Sequence, residues 1–292
     1  MHKSGFVSII GNPNVGKSTL MNRLVGERLS IVTSKAQTTR HRILGIVDTP
    51  AHQIVYSDTP GYLTPAYALQ EAMQAKVEET FEDTDVFLYL TDVVEKANKH
   101  QELIDKVAQQ PMPVLLLINK IDLIDQPALE ALVAQWQALL PKAQIMPISA
   151  LHNFGVDLIE PTILKLLPEG PKFFPPDTLT NRPVRFFIAE IIREKILLHC
   201  KQEVPYSVEV RVRSYQEEAG LDRIETVIFV ARDSQKGILI GRGGRMLKRI
   251  GTEARHDIEL FLQKRVFLRL VVQVAENWRD DEDDLREFGY IE

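Results

Sequence analysis

Along the first half of the chain, short and almost unbroken apolar runs stand at residues 6–10, 43–47, 53–56, 86–90, 114–118 and 145–148. Between them, apolar residues recur at helical spacing over 19–25, 69–81, 98–108, 127–140 and 155–167. Runs that are apolar on both faces read as strands covered on both sides. Their alternation with helices predicts an α/β domain with a mostly parallel sheet and helices on both faces. Residues 43–58 predict one antiparallel pair at its edge. In such a sheet the loops after the strand C-termini gather the ligand site. From 168 to 183 the pattern dissolves into Pro168, Pro171, Pro175, Pro176 and Pro183, the composition of a semi-rigid linker. Beyond it a helical pattern over 184–200 precedes a strictly alternating strand at 207–213 and a second strand within 225–232. A short helix, a glycine-rich loop at 241–244, a helix to about 263 and a strand at 266–274 follow. The chain is therefore expected to divide into a domain at 1–170, a linker at 171–183, an α+β domain at 184–275 and an acidic tail at 276–292.

Composition narrows the class. At 292 residues with 45% hydrophobic and 26% charged content, this is an ordinary globular chain. Its single cysteine, Cys200, excludes an intramolecular disulfide and suits a reducing compartment. The first strand starts almost at once, leaving no room for a signal peptide, and no apolar run approaches ~20 residues. A cytoplasmic protein is expected. The net charge of −5 is unevenly spread: −4 over residues 1–172, +5 over 173–275 and −6 over 276–292. A basic block between acidic segments hints at a polyanionic partner.

The chemistry begins at Gly11-Asn12-Pro13-Asn14-Val15-Gly16-Lys17-Ser18-Thr19, between a strand and a helix. It fits G-x-x-x-x-G-K-[ST], whose backbone N–H groups and helix N-terminus cradle phosphates. Lys17 is expected on the β/γ-phosphates and Ser18 on Mg²⁺. Asp58-Thr59-Pro60-Gly61 follows the next strand as D-x-x-G. Asp58 is suited to hold Mg²⁺ through water, and the Gly61 N–H to sense a γ-phosphate. Asp48-Thr49-Pro50-Ala51 lacks the final glycine and reads as a hairpin turn. Asn119-Lys120-Ile121-Asp122 follows a third strand as N-K-x-D. The Asp122 carboxylate suits guanine N1–H and its exocyclic amine together, and adenine has no donor at either place. Asn119 is expected at the purine's other edge, with the Lys120 stem over the ring. Ser149-Ala150 can bring a backbone N–H to guanine O6. These motifs fall in order, each just after a predicted strand, so the expected ligand is GTP or GDP.

The second domain follows the α-β-β-α-α-β order of a KH-type RNA-binding fold, in which a G-x-x-G loop clamps the backbone of about four nucleotides. Gly241, Gly243 and Gly244 would let phosphates approach, while Arg242, Arg245, Lys248 and Arg249 bring charge. Ile238 and Ile240, running into the loop, are expected to form an apolar groove for splayed bases.

With these motifs the chain resembles the translation-factor-related GTPases, and more closely the Era family. The resemblance spans nearly the whole length and includes Gln37-Thr38-Thr39-Arg40, Asp58–Tyr62, Ile148-Ser149-Ala150 and the ending Trp278-Arg279 with Phe288-Gly289-Tyr290. It implies that Thr39, or else Thr38, closes on Mg²⁺ and the γ-phosphate. It also implies a K⁺ ion between α- and γ-phosphates with Asn14 as ligand. For Asn14 the residues alone leave open a loop role that merely tolerates unusual φ/ψ. Where many GTPases carry a water-orienting glutamine after D-x-x-G, this chain has Tyr62, a poor base. Slow hydrolysis resting on Lys17, Thr39, Gly61 and bound ions is expected. The implied partners are the 3′ end of small-subunit ribosomal RNA, the small subunit during assembly and the inner membrane face, with the chain itself monomeric. Against membrane docking, no strongly amphipathic basic helix stands out. Two alternatives remain: a GTPase whose C-terminal domain docks a protein or membrane, and a P-loop metabolic phosphotransferase.

Overall fold

β1 (Lys3–Gly11) lies inside a six-stranded sheet. In the computed structural model, which describes residues 2–96 and 99–291, the chain divides into two compact units. The first holds residues 1–64 and 73–181. In it β1 pairs in parallel with β3 (His52–Asp58) and β4 (Val86–Asp92). The sheet continues in parallel through β5 (Val114–Asn119) to β6 (Gln144–Pro147). β2 (Ile43–Asp48) runs antiparallel to β3 at the edge, so the order is β2-β3-β1-β4-β5-β6. β4 is buried at every residue, as its unbroken apolar pattern requires.

The connecting helices are α1 (Lys17–Val25), α2 (Ala68–Glu79), α3 (Gln101–Ala108), α4 (Gln126–Leu139) and α5 (Ile159–Leu166). Ile10, Phe87, Tyr89, Leu116 and Ile118 pack with Leu103 and Ile104 of α3 and Trp136 of α4 in one core. The helix expected over 98–108 begins at Gln101, and Asn98 lies outside the described residues. The helix expected over 155–167 opens instead with a 3-10 turn at Val156–Leu158. Pro161 lacks a backbone N–H and is accommodated only in a first turn, which places the start of α5 at Ile159.

The proline-rich stretch is laid along the sheet edge. The Ile46 N–H donates to Leu179 O at 2.9 Å, Thr180 bridges Gly45, and the Leu44 N–H donates to Asn181 Oδ1 at 3.3 Å. The buried Gln53 carboxamide accepts from Phe173 N–H and Phe174 N–H at 2.8 and 2.9 Å and donates to Phe174 O at 3.0 Å. An edge strand presents unpaired backbone groups, and here the segment covers them.

The second unit holds residues 182–292 together with Pro65–Ala72, the stretch just past the D-x-x-G loop. Within it the Leu69 N–H donates to Arg279 O at 2.8 Å, and the Arg279 guanidinium lies 4.7 Å from the Tyr67 ring centre. Its elements are α6 (Val184–His199), β7 (Val208–Gln216), β8 (Asp222–Val230), α7 (Asp233–Ile240), α8 (Arg245–Leu262) and β9 (Val266–Val274). The order is α-β-β-α-α-β. β7 and β8 are antiparallel, and β8 and β9 parallel. Ile188, Ile192 and Ile196 of α6 meet Val208, Ile228, Ile250, Ala254 and Ile258 in the core. α8 is amphipathic but of mixed charge, with Arg245, Lys248, Arg249 and Arg255 set against Glu253, Asp257 and Glu259. Its apolar stripe of Ile250, Ala254 and Ile258 is buried in this core, so that face is closed to a membrane. Cys200 is buried here too.

Residues 276–291 are half solvated and half packed. Asp280, Asp281, Glu282 and Asp283 are exposed, while Trp278, Leu285, Phe288 and Tyr290 are buried. The Trp278 indole N–H donates to Ser207 O at 3.0 Å, and the Tyr290 hydroxyl to Glu209 Oε2 at 2.6 Å. Asp281 caps α9 (Glu282–Glu287). Among the described residues no helix is long and apolar enough to cross a membrane.

Candidate functional site

β1 ends and α1 begins across a loop that only unusual backbone conformations can close. Gly16 takes φ 104° and Asn14 φ 67°, a left-handed value that asparagine tolerates better than most residues. Lys17 opens α1, and its Nζ donates to Gly11 O (3.0 Å) and Asn12 O (2.9 Å). Burial lowers its pKa to about 8, against the opposing pull of Asp58 and Glu95. A phosphate entering beside it would restore the charge that burial disfavours.

Three oxygens converge beside Lys17. Ser18 Oγ lies 2.8 Å from Thr39 Oγ1 and donates to Asp58 Oδ2 at 2.9 Å, and Thr39 Oγ1 stands 3.5 Å from the same carboxylate. Asp58 Oδ1 is buried with no hydrogen bond. Burial raises the Asp58 pKa, with Lys17 opposing. Two hydroxyls against a carboxylate with a spare buried oxygen form a hard-oxygen set that fits Mg²⁺. Thr38 is elsewhere: its Oγ1 pairs with Thr33 Oγ1 (2.7 Å) and donates to Lys35 O (2.6 Å). Of the two threonines, Thr39 is the one at the cluster.

A cavity of about 530 Å³ extends from this cluster to the ends of β5 and β6. Asn14, Gly16, Lys17, Ser18, Thr19, Thr39, Gly61, Asn119, Lys120, Asp122 and Ser149 all line it. Asn12, Val15, Asp58 and Ala150 stand behind that lining. Gly61 is pressed against Pro13, where a Cβ would come within 2.7 Å of the Pro13 backbone. Ser149 Oγ donates to Asp122 Oδ1 at 2.6 Å, which holds the Asp122 carboxyl below its usual range. Asn119 lines the cavity and also braces it. Its Nδ2 donates to Val15 O (2.8 Å) and its Oδ1 accepts from Ala150 N–H (2.9 Å), so it ties the phosphate loop to the base end of the cavity. Lys120 Nζ donates to Asn14 O at 2.8 Å and pairs with Asp92.

Tyr62 turns away from the cavity. Its ring packs in the α3 and α4 core, its hydroxyl donates to Glu102 Oε2 at 3.3 Å, and burial raises its pKa. Its hydroxyl faces Glu102 rather than the cavity, so it is not placed to act as a base there.

Several contributors escaped the motif reading. Leu123 and Leu151, 61% and 65% exposed, wall the base end with apolar surface. Both directly follow motif residues, so position was an available signal. Ile31, Val32 and Thr33 form the opposite rim. Glu95 accepts from the buried Asn12 carboxamide (2.9 Å) and from Thr91 Oγ1 (3.1 Å), and no sequence pattern announces it.

In the second unit α7 leads through Gly241 and a 3-10 turn at Arg242–Gly244 into α8. Gly243 and Gly244 adopt φ 61° and 76°, which favour glycine, and space around the Gly243 Cα is open. Arg242, Arg245, Lys248 and Arg249 are exposed. A groove of about 570 Å³ starts at Gly244 and runs between α8 and β9. Leu247, Lys248, Gly251, Thr252 and Arg255 form one side, and Val266, Phe267, Leu268 and Leu270 the other. Neither Ile238 nor Ile240 lines it. Ile240 packs against the core and Ile238 is 48% exposed outside the groove, so α8 and β9 supply the apolar wall expected of α7.

This fold and site define a P-loop GTPase joined to a KH module. A model of 50S ribosome-binding GTPases matches residues 6–120, and a KH-domain model matches 203–279. The GTPase Era of Staphylococcus haemolyticus is 43% identical, over 100% of this chain and 98% of its own length. That of Geotalea uraniireducens is 47% identical over 99% and 98%. Among solved structures, Era in complex with MgGDPNP and nucleotides 1506–1542 of 16S ribosomal RNA is 38% identical, with a TM-score of 0.96 and full coverage of both chains. A tyrosine-to-alanine variant of Aquifex aeolicus Era bound to GDP·AlF4⁻ is 37% identical, with a TM-score of 0.95 over 99% of this chain and 100% of that one. The chain belongs to the Era family of GTPases.

Proposed function

We propose that this GTPase is a switch whose nucleotide state governs binding of the 3′ end of small-subunit ribosomal RNA during assembly of the small subunit. One observation carries the reading. The Ser18–Thr39–Asp58 cluster beside Lys17 and the glycine-loop groove of α8 and β9 occur in one chain. Its structural relative holds MgGDPNP and 16S ribosomal RNA.

In this reading Ser18 and Thr39 hold Mg²⁺ directly and Asp58 holds it through water. The ion supplies charge to the phosphate oxygens. Lys17 and the N–H groups at the start of α1 bind the β- and γ-phosphates. Asp122 reads guanine, with Ser149 fixing its carboxylate and Leu123 and Leu151 flanking the ring. Gly61, against Pro13, presents its N–H to the γ-phosphate. Tyr62 supplies no base, so turnover is slow and rests on positioning and charge. Asn14 is the proposed K⁺ ligand. Exchanging Na⁺ for K⁺ at constant ionic strength should raise turnover in the wild type and not in Asn14→Ala. Equal wild-type rates in both salts would remove K⁺ from the mechanism.

The coupling has its own test. Only a γ-phosphate can hold Thr39 and Gly61 together. Gly61 precedes residues 65–72, which fold with the second unit. RNA affinity, measured by anisotropy with Mg²⁺ present, should therefore differ between GTP-analogue and GDP states. By linkage, RNA must change GTP-analogue affinity relative to GDP by the same factor. Equal RNA affinities would leave two independent binding modules and no switch.

A further inference from the structure

Gly251 lies inside α8 (Arg245–Leu262), away from both ends. Alanine is the better helix former at such a position, because glycine loses more backbone freedom on folding. The local backbone does not call for glycine either, since Gly251 is not among the residues with positive φ. Packing is nearly as permissive. A Cβ added at Gly251 would meet only Leu270, with Cδ1 at 3.3 Å and Cγ at 3.9 Å. At Gly45, where packing does forbid a side chain, a Cβ would come within 2.5 Å of Met21 and 2.7 Å of Val25. The end of one leucine side chain can give by a few tenths of an ångström. The fold alone therefore leaves this glycine unexplained.

What the missing side chain leaves is room in the groove. Leu247, Gly251 and Arg255 recur every four residues on one face of α8, and all three line the space of about 570 Å³ between α8 and β9. Leu270, the neighbour that a Cβ would touch, lines the same space from β9. A notch thus opens at Gly251, with Leu247 and Arg255 on either side of it along the helix and Leu270 across from it. Gly244 lines the groove too, so a backbone clamped at the glycine loop delivers its neighbouring bases to this space. A nucleobase has apolar faces and a polar edge. The leucines offer surface to the faces, and the Arg255 guanidinium offers N–H donors to acceptor atoms on the edge.

Resting on the RNA-binding reading above, we propose that Gly251 is a specificity-determining residue of the groove, whose missing side chain leaves the notch that takes one unpaired base of the bound RNA. It adds base-dependent affinity to the phosphate contacts of the glycine loop, at the expense of some stability in α8.

The test uses the full chain and a short single-stranded RNA covering the 3′ end of small-subunit ribosomal RNA, with a set of versions each abasic at one nucleotide. Wild type should lose affinity most at one abasic position. Gly251→Ala adds one methyl group and should weaken binding of the intact RNA roughly tenfold, and Gly251→Leu should weaken it further. The melting temperature of Gly251→Ala should equal or exceed that of wild type, so that stability and affinity move in opposite directions. With the RNA abasic at the sensitive position, wild type and Gly251→Ala should bind alike, because no base remains to be excluded. Wild-type affinity in both variants would overturn the notch and leave RNA binding intact. A Gly251→Ala that melts lower and loses affinity for every RNA by the same factor would make the glycine a packing residue and overturn the proposal as well. A wild type that binds none of these RNAs would overturn both readings.

Discussion

Asp122 owes its readiness to Ser149. The 2.6 Å hydrogen bond from Ser149 Oγ orients one carboxylate oxygen and favours the charged form, while the carboxylate lines the cavity. Asp122→Asn should weaken GTP binding by roughly 2–4 kcal/mol and favour xanthosine triphosphate, because the amide can donate to the xanthine C2 carbonyl. Calorimetry with GTP, XTP and ATP checks this. A variant that kept wild-type GTP affinity, or a wild type that bound ATP equally well, would refute the guanine assignment. Asn119 and Glu95 act at the same scale by a different route: each braces the phosphate loop from behind through a buried amide.

At the scale of elements, Gln53 is the point where the proline-rich stretch is fastened to β3. Its buried carboxamide serves two N–H donors and one carbonyl of Phe173 and Phe174. Gln53→Ala would leave those backbone groups without their partner, at about 1–3 kcal/mol for each group that stays dry. The expected outcome is a lower melting temperature and new chymotryptic cleavage at Phe173 or Phe174, with GTP affinity near wild type. Cleavage no faster than in wild type would show that the edge pairing of Leu179–Asn181 with β2 holds the segment alone.

For the whole molecule, charge distribution decides the behaviour with polyanions. The +5 block over residues 173–275 contains both the glycine loop and the groove, while the segments on either side are acidic. RNA affinity should fall linearly with salt on a log–log plot, with a slope of about 0.7 for each lysine or arginine that touches a phosphate. Gly243→Asp adds negative charge and bulk where the backbone must approach and strains a left-handed position. It should abolish RNA binding at all salt concentrations while circular dichroism shows the fold retained. Binding that ignored salt would exclude phosphate clamping as its basis.

Local patterns carried most of the fold and the nucleotide site. Buried parallel strands must be apolar throughout, and each loop motif has to follow a strand end to reach the ligand. The strands, the glycine loops and residues such as Lys17, Ser18, Asp58 and Asp122 were therefore legible one segment at a time. What pairs distant segments was not. That Thr39 and not Thr38 stands beside Ser18 and Asp58 is a matter of packing, which adjacent and chemically identical residues cannot reveal. The groove wall lies on α8 and β9 rather than at Ile238 and Ile240, because Ile240 packs against the core. The acidic ending reads as solvent-facing by composition, yet Trp278, Leu285, Phe288 and Tyr290 are buried within it. Glu95 gains a role only because the loop after β4 folds against Asn12. A residue type and its spacing determine what a segment can do by itself. Which partner it meets depends on the packing of elements far apart in the chain, and that was decided only in the tertiary structure.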